Sequence, residues 1–251
     1  LFQLLDDLAE NNLTGHAAIQ AVNSFTNELH SDLQKLVHFI LDRDLRMGAS
    51  ITSVLKVHPN IIPVFKVALA HPYSPTRVNF EKEEWYGSRK LDGVRCICRK
   101  EGNSVTFYSR NGKEFETLGR IAEDVKQIPG NFILDGEVCM VNENGAEDFQ
   151  GIMKEIRRKD HTIKNPKFLV FDCLTIEEFD NHKGTSELYE RLDRQPIRQI
   201  NASNYLTLTQ VEQTLINTEA EFTEMAKDAE LNGYEGIMVR KNSGYEGTRS
   251  H

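Results

Sequence analysis

The sequence reads as an α+β protein. Residues 1 to about 68 carry helical spacing, a Pro-containing stretch follows at His71-Pro72-Tyr73-Ser74-Pro75, and beyond it short apolar runs alternate irregularly with helical ones. In the front section Leu4, Leu5 and Leu8 share a stripe, and Thr14 is placed to cap a helix carrying Ala17, Ile19, Val22 and Phe25. Ser31 and Gln34 have capping-box spacing before Leu36, Val37, Phe39 and Ile40, and Ser50 or Ser53 opens a further short helix that ends near His58-Pro59. In the back section strands are expected at 94–99, 105–108, 132–134, 137–141, 168–171 and 236–240. Glu101-Gly102-Asn103 and Asn111-Gly112 supply turns, and helices are expected near 117–127, 186–195 and 219–231. This mixture argues against a doubly wound parallel sheet.

The 251 residues suffice for one large domain or two smaller ones, and 39% hydrophobic with 27% charged residues fit a globular protein. No apolar run has the length of a bilayer span and no signal segment opens the chain, so an intracellular protein without a membrane association is expected. The chain opens on Leu1 and closes at His251 after a loop-like stretch, which reads as a fragment. Cys96, Cys98, Cys139 and Cys173 lack paired zinc-site spacing and read as buried reduced thiols. The net charge of −8 does not advertise nucleic-acid binding, although a basic groove can coexist with acidic outer faces. The run KEIRRK, Lys154 to Lys159, reads evenly as a solvated face or as a phosphate contact.

Chemistry concentrates in five elements. KLDGVR, Lys90 to Arg95, follows Trp85-Tyr86-Gly87-Ser88-Arg89 and sets a lysine beside an acid, a glycine and an arginine. A lysine that attacks phosphorus needs such company: close backbone approach, an orienting anion and a fixed cation for phosphate oxygens. It must also lose its proton, which Arg89, Arg95 or a bound metal would favour. A lone exposed lysine is otherwise merely solvated. Arg110, before the Asn-Gly turn of SRNGK, projects toward a phosphate or simply flanks a hairpin. Asp135-Gly136-Glu137 ends one strand and begins another, where an acid binds ribose hydroxyls or a divalent metal, or forms an ordinary charged turn. Phe171 and Asp172 close an apolar strand, where an aromatic stacks on a base or packs in the core and an acid serves a metal. Glu235-Gly236 precedes a strand ending in Arg240-Lys241, pairing an acid for metal with cations for phosphate, or making a surface turn. Each element alone has a plain structural explanation, but packing accounts poorly for five in this order.

Taken together, KLDGVR, SRNGK, LDGEV, FLVFDCL and YEGIMVRK resemble motifs I, Ia, III, IIIa and IV of the covalent nucleotidyltransferases, which comprise ATP-dependent DNA ligases, RNA ligases and mRNA capping enzymes. The segments LTGHAAIQAV (13–22) and RDLRMGASITSVLKVHPNIIP (43–63) resemble the end of the DNA-binding domain of tailed-bacteriophage DNA ligases. The resemblance implies a partial helical DNA-binding domain over 1–70, a linker over 71–77 and an antiparallel-sheet adenylation domain over 78–251, lacking motif V and a C-terminal OB-fold. Such a fragment is expected to ligate poorly or not at all. The resemblance further implies Lys90 as the adenylated nucleophile, with Arg89, Asp92, Gly93, Arg95, Arg110, Glu137, Phe171, Arg240 and Lys241 around the nucleotide. Within that set Glu137 would bind the ribose and Phe171 the adenine; Glu137, Asp172 and Glu235 would hold Mg²⁺ or Mn²⁺. Arg240 stands where many relatives have lysine, which changes a point-like contact into a forked one. ATP as cofactor, nicked double-stranded DNA as partner and a monomeric state follow from the same resemblance. RNA ligase, capping-type transferase, a non-catalytic DNA clamp and a small-molecule kinase are the rival readings. Intact Lys90, Glu137 and Glu235 argue against the clamp, and the helical region and lack of a Gly-rich P-loop argue against the kinase.

Overall fold

The computed structural model describes residues 1–10, 12–42, 46–58, 65–140, 148–158 and 160–249. Val141, Lys159 and Ser250, and residues 43–45 and 59–63 of the segment 43–63, lie outside them. The chain forms two compact units, Leu1–Pro63 and Val64–His251.

Among its described residues the first unit holds four helices: α1 (Phe2–Ala9), α2 (Gly15–Asn27), α3 (Ser31–Leu41) and α4 (Ile51–Val57). Thr14 is the N-cap of α2 by position, but its side chain makes no capping bond. The expected capping box on α3 does not form: His30 is its N-cap, and Gln34 instead donates to the Leu29 carbonyl at 3.0 Å. Ser50 caps α4, accepting from the Ser53 N–H at 3.1 Å, as one of the two serines was expected to do.

The second unit is α+β. Its strands are β1 (Trp85–Arg89), β2 (Val94–Glu101), β3 (Ser104–Ser109), β4 (Phe132–Met140), β5 (Pro166–Leu174), β6 (Leu208–Gln210), β7 (Thr214–Ile216) and β8 (Ile237–Lys241). Its helices are α5 (Gly119–Lys126), α6 (Phe149–Glu155), α7 (Ile176–Asp180), α8 (Leu188–Leu192), α9 (Gln195–Ala202) and α10 (Glu219–Leu231). Five strands form one sheet in the order β3-β2-β4-β5-β6, antiparallel except for the parallel β5/β6 pair. Three form an antiparallel sheet, β7-β1-β8. Among the described residues no helix is long and apolar enough to cross a membrane.

Period-two alternation divides the larger sheet into two faces. Cys96 and Cys98 of β2, Leu134 and Val138 of β4, and Phe168 and Val170 of β5 face the main core, packing with Ile121 and Val125 of α5, Ile152 of α6 and Ile197 and Ile200 of α9. The intervening Ile97 and Ile133 join Val67, Leu174, Phe179 and Tyr245 on the opposite face. All four cysteines are buried and unpaired by disulfides, and burial pushes the Cys173 thiol up to about 12, as befits inert core thiols. The smaller sheet builds its own core from Val78, Phe80, Trp85 and Ile216, against Phe222 and Met225 of α10.

The contact units divide between Pro63 and Val64. Within the stretch 71–77, expected as a linker, Tyr73 stacks on Phe222 at 4.4 Å and donates to Glu219 at 2.8 Å; ahead of it Val67 is buried and Leu69 bridges Arg249. One expectation is corrected: Asp135-Gly136-Glu137 is no turn between two strands but lies inside the continuous strand β4, with Asp135 only 1% exposed. An acid can sit there because Arg95, on the same face of β2, forks onto it through Nε and Nη2, both at 2.6 Å.

Candidate active site

Between the faces of the second unit opens a cavity of about 380 Å³, lined among others by Arg89, Lys90, Arg95, Arg110, Glu137, Phe171, Arg240 and Lys241. Asp92, Gly93, Asp172 and Glu235 do not line it. Local geometry explains how residues so distant in sequence converge.

Lys90 leaves the end of β1, and its N–H donates to the Gly236 carbonyl at 2.8 Å. Gly236 has φ +141, a left-handed backbone that favours glycine, and it turns the chain into β8 directly beside the lysine. Glu235 is thereby brought into ion-pair contact with the Lys90 ammonium, each side chain being less than half exposed. Gly93 serves a different need. A Cβ there would lie 2.6 Å from the Val138 carbonyl oxygen and 2.8 Å from Glu137 Cγ, so only glycine lets the KLDGVR loop close onto β4. Gly93→Ala is expected to cost about 1–3 kcal/mol by overpacking and to displace Lys90. Thermal denaturation would register the loss of stability.

Arg95 and Glu137 are register partners on β2 and β4 and point to the same face as Asp135. Burial pushes the Glu137 carboxyl up to about 7, although Arg95, Lys90 and the Gly93 N–H hold it back. A raised carboxyl means that the folded protein keeps a proton the unfolded chain has already lost. The resulting stabilisation is full below the ordinary carboxyl range and disappears as pH rises through about 7. Glu137→Gln should flatten that part of the profile and exceed the native protein in stability by about 1–3 kcal/mol near pH 8. Urea midpoints near pH 5 and pH 8 measure this; the native midpoint should fall between them more than the variant's.

Phe171 owes its aim to a β-bulge. Asp135 pairs with Asp172 and Gly136 with Val170, leaving Phe171 as the extra residue of β5. The bulge resets the alternation, so that Phe171 and Asp172 both avoid the main core while Cys173 returns to it. The Arg95 guanidinium lies 4.7 Å from the Phe171 ring centroid and that of Arg240 lies 5.6 Å from it. Arg110 follows β3 in the Asn-Gly turn, where Gly112 has φ +79 and donates to the Ser109 carbonyl at 2.9 Å. The Arg89 guanidinium lies 5.3 Å from the Tyr234 ring centroid, and Lys241 pairs with Glu83 at 2.5 Å.

Asp172, expected at a metal, occupies a different place. It is fully buried and accepts from Arg191 Nε at 2.8 Å, Arg191 Nη2 at 3.1 Å, its neighbour's Cys173 N–H at 2.9 Å and Arg240. Burial alone would raise its carboxyl, but the Arg240 and Arg191 guanidiniums prevail and hold it well below the usual range. A carboxylate so engaged has no oxygen to turn toward the cavity. Arg240, expected on phosphate, spends one nitrogen on Asp172 and donates another to the Phe171 carbonyl at 2.7 Å.

Glu137 and Glu235 remain beside Lys90, and no group of three or more His, Cys, Asp or Glu side chains stands ready for a metal among the described residues. Two carboxylates fit Mg²⁺, which takes one or two and completes its octahedron with phosphate oxygens and water.

Other cavity residues had no local signature in the sequence: Ala68 to Ala70, Arg191, Ser243 to Glu246 and Arg249. Ala68 accepts from Arg95 at 3.3 Å, and Ala70 from Arg249 at 2.7 Å, so this wall is backbone whose carbonyls are spoken for by arginines.

Comparison with known proteins gives the family. The model of the ATP dependent DNA ligase domain matches residues 68–250. The DNA ligase of Enterobacteria phage T4 is 31% identical over 143 residues, covering 52% of this chain and 29% of its own. That of Vaccinia virus (strain Western Reserve) is 25% identical over 249 residues, covering 84% of this chain and 44% of its own. The solved structure Pmar-Lig_Pre superposes with a TM-score of 0.80 at 27% identity, over 99% of this chain and 60% of that one. The chain thus spans less than half the length of these two viral relatives. With the match running from Ala68 through the KLDGVR and YEGIMVRK segments, the chain belongs to the ATP dependent DNA ligase domain family.

Proposed function

We propose that this chain forms the nucleotide-handling part of an ATP-dependent DNA ligase that seals nicks in duplex DNA. The observation that carries the reading is Lys90, held at a cavity whose lining also supplies Phe171 and Glu137. In the first step the Lys90 amine, freed of its proton, attacks the α-phosphorus of ATP. A P–N bond forms and the P–O bond to pyrophosphate breaks. The adenylyl group then passes to the 5′-phosphate of a nick, and the neighbouring 3′-hydroxyl displaces AMP. All three steps are displacements at phosphorus, so positioning and charge stabilisation supply most of the catalysis.

The residue roles that the resemblance implies draw support from the cavity lining. Phe171 offers its ring to adenine, and Glu137 accepts from ribose hydroxyls once deprotonated. Arg89, Arg110 and Lys241 supply cations to phosphates, while Arg95, braced by Asp135, faces the nucleotide. Glu235 orients the Lys90 amine before attack. Asp92, exposed in the loop that Gly93 closes, faces the nick. When bound, Mg²⁺ or Mn²⁺ at Glu137 or Glu235 would offset charge on the α-phosphate and the leaving pyrophosphate. The helical unit Leu1–Pro63 is assigned to DNA contact, and the ligase to action as a monomer on nicked double-stranded DNA.

The test is sealing of a labelled nick by the purified full-length protein. ATP with nicked DNA should give product. Turnover only with a nicked RNA duplex, or only with GTP, would transfer the reading to the RNA ligases or capping enzymes. No nucleotidyl transfer under any condition would leave a DNA-binding relative.

A further inference from the structure

We infer that Asp172 and Arg191 are positioning residues that pin the Lys90-bearing sheet against the sheet carrying Phe171 and Glu137; the inference rests on the adenylation chemistry proposed above. The two sheets meet at the cavity, and their strands do not pair with each other. Lys90 belongs to the three-stranded sheet through β1 and its bond to Gly236. Phe171 and Glu137 belong to the five-stranded sheet through β5 and β4. Nucleophile and nucleotide therefore stand on separate platforms, and something must fix the distance between them.

Asp172 is placed to do so. At the bulge of β5 it binds Arg240 of β8 directly, which is one link between the sheets. Its second link runs through Arg191 of α8, which forks onto Asp172 and donates through Nη1 to the Ser243 carbonyl at 2.9 Å, just beyond β8. Arg191 Nη1 also donates to the Ser186 carbonyl at 2.6 Å, fixing α8 in the same network. Arg191 is 2% exposed and Asp172 is fully buried, so water does not compete for these bonds. Arg240 adds a bond to the Phe171 backbone carbonyl at 2.7 Å, a further link between β8 and β5.

A loosened pin should leave the adenine and ribose contacts of the five-stranded sheet in place while misaligning the lysine. Loss of alignment by about 1 Å costs on the order of 10²-fold in rate. The expectation is a fall in the maximal rate with little change in ATP affinity.

The experiment compares native protein, Asp172→Asn and Arg191→Lys for adenylation of Lys90 over a range of ATP concentrations, well below each melting temperature. Asp172→Asn keeps the shape without the charge; Arg191→Lys keeps the charge without the fork. The expected result is a maximal rate lowered about 10–100-fold in Asp172→Asn, with KM for ATP within about threefold of native, and a smaller fall in Arg191→Lys. Native rates in folded variants with lowered melting temperatures would overturn the inference, as would loss confined to KM or failure of both variants to fold. Absence of adenylation in the native protein would instead overturn the proposed function, so the two failures are distinguishable.

Discussion

Lys90→Ala abolishes covalent attachment of label from α-labelled ATP, by at least about 10⁴-fold, and leaves the fold intact. Alanine has no nucleophile, and no neighbouring group replaces a lost lone pair. Stability should change by less than about 1 kcal/mol, because the ion pair lost, to Glu235, joins two side chains that are 41% and 46% exposed. Lys90→Arg sharpens the result. It preserves the charge opposite Glu235 but carries a guanidinium that stays protonated, so it too should be inert. Radiolabel retention on denatured protein reads the first effect, and thermal melting the second. Continued labelling of either variant would move the nucleophile elsewhere.

Asp135→Ala is expected to destabilise the second unit by about 3–5 kcal/mol, because it leaves the half-buried Arg95 guanidinium without the buried carboxylate it forks onto. For a unit of this size that corresponds to a melting temperature lower by on the order of 10 °C. The cause is separable from simple loss of packing. The double variant Arg95→Met/Asp135→Leu removes both charges and fills similar volume, so it should melt closer to the native protein than Asp135→Ala does. Adenylation should nonetheless fall in the double variant, since Arg95 also faces Phe171 in the cavity. If the double variant melted below Asp135→Ala, the pair would be contributing by Coulomb attraction beyond its desolvation cost, contrary to this account.

Much of the second unit was legible because its apolar spacing is regular. The strands at 94–99, 105–108 and 236–240 and the helix at 219–231 appear within a few residues of their expected places. β1 leaves little strand signal, because WYGSR has one buried aromatic, a glycine under Ile216 and Met225, and no alternation to betray it. β6 and β7 have three residues each, too short for any period. The helix expected over 186–195 is the shorter α8, Leu188–Leu192; a separate helix, α9, opens at Gln195 with Pro196 in its first turn.

In the site, the lysine, arginines, glutamates and phenylalanine were legible because each stands in a compact motif. Their partners were not. Arg191 lies 19 residues from Asp172 in an unremarkable helical stretch, and the bulge that turns Phe171 and Asp172 together leaves no trace in FLVFDCL. Asp135 resembled a turn residue because a buried acid in a central strand makes sense only once Arg95 is known to lie beside it.

The most direct test of the whole account is peptide mapping by mass spectrometry after incubating the protein with ATP and Mg²⁺. The account predicts a single adenylyl group, carried by the peptide containing Lys90 and attached to its side-chain nitrogen. A nick-sealing protein whose adenylyl group mapped to any other residue would contradict it.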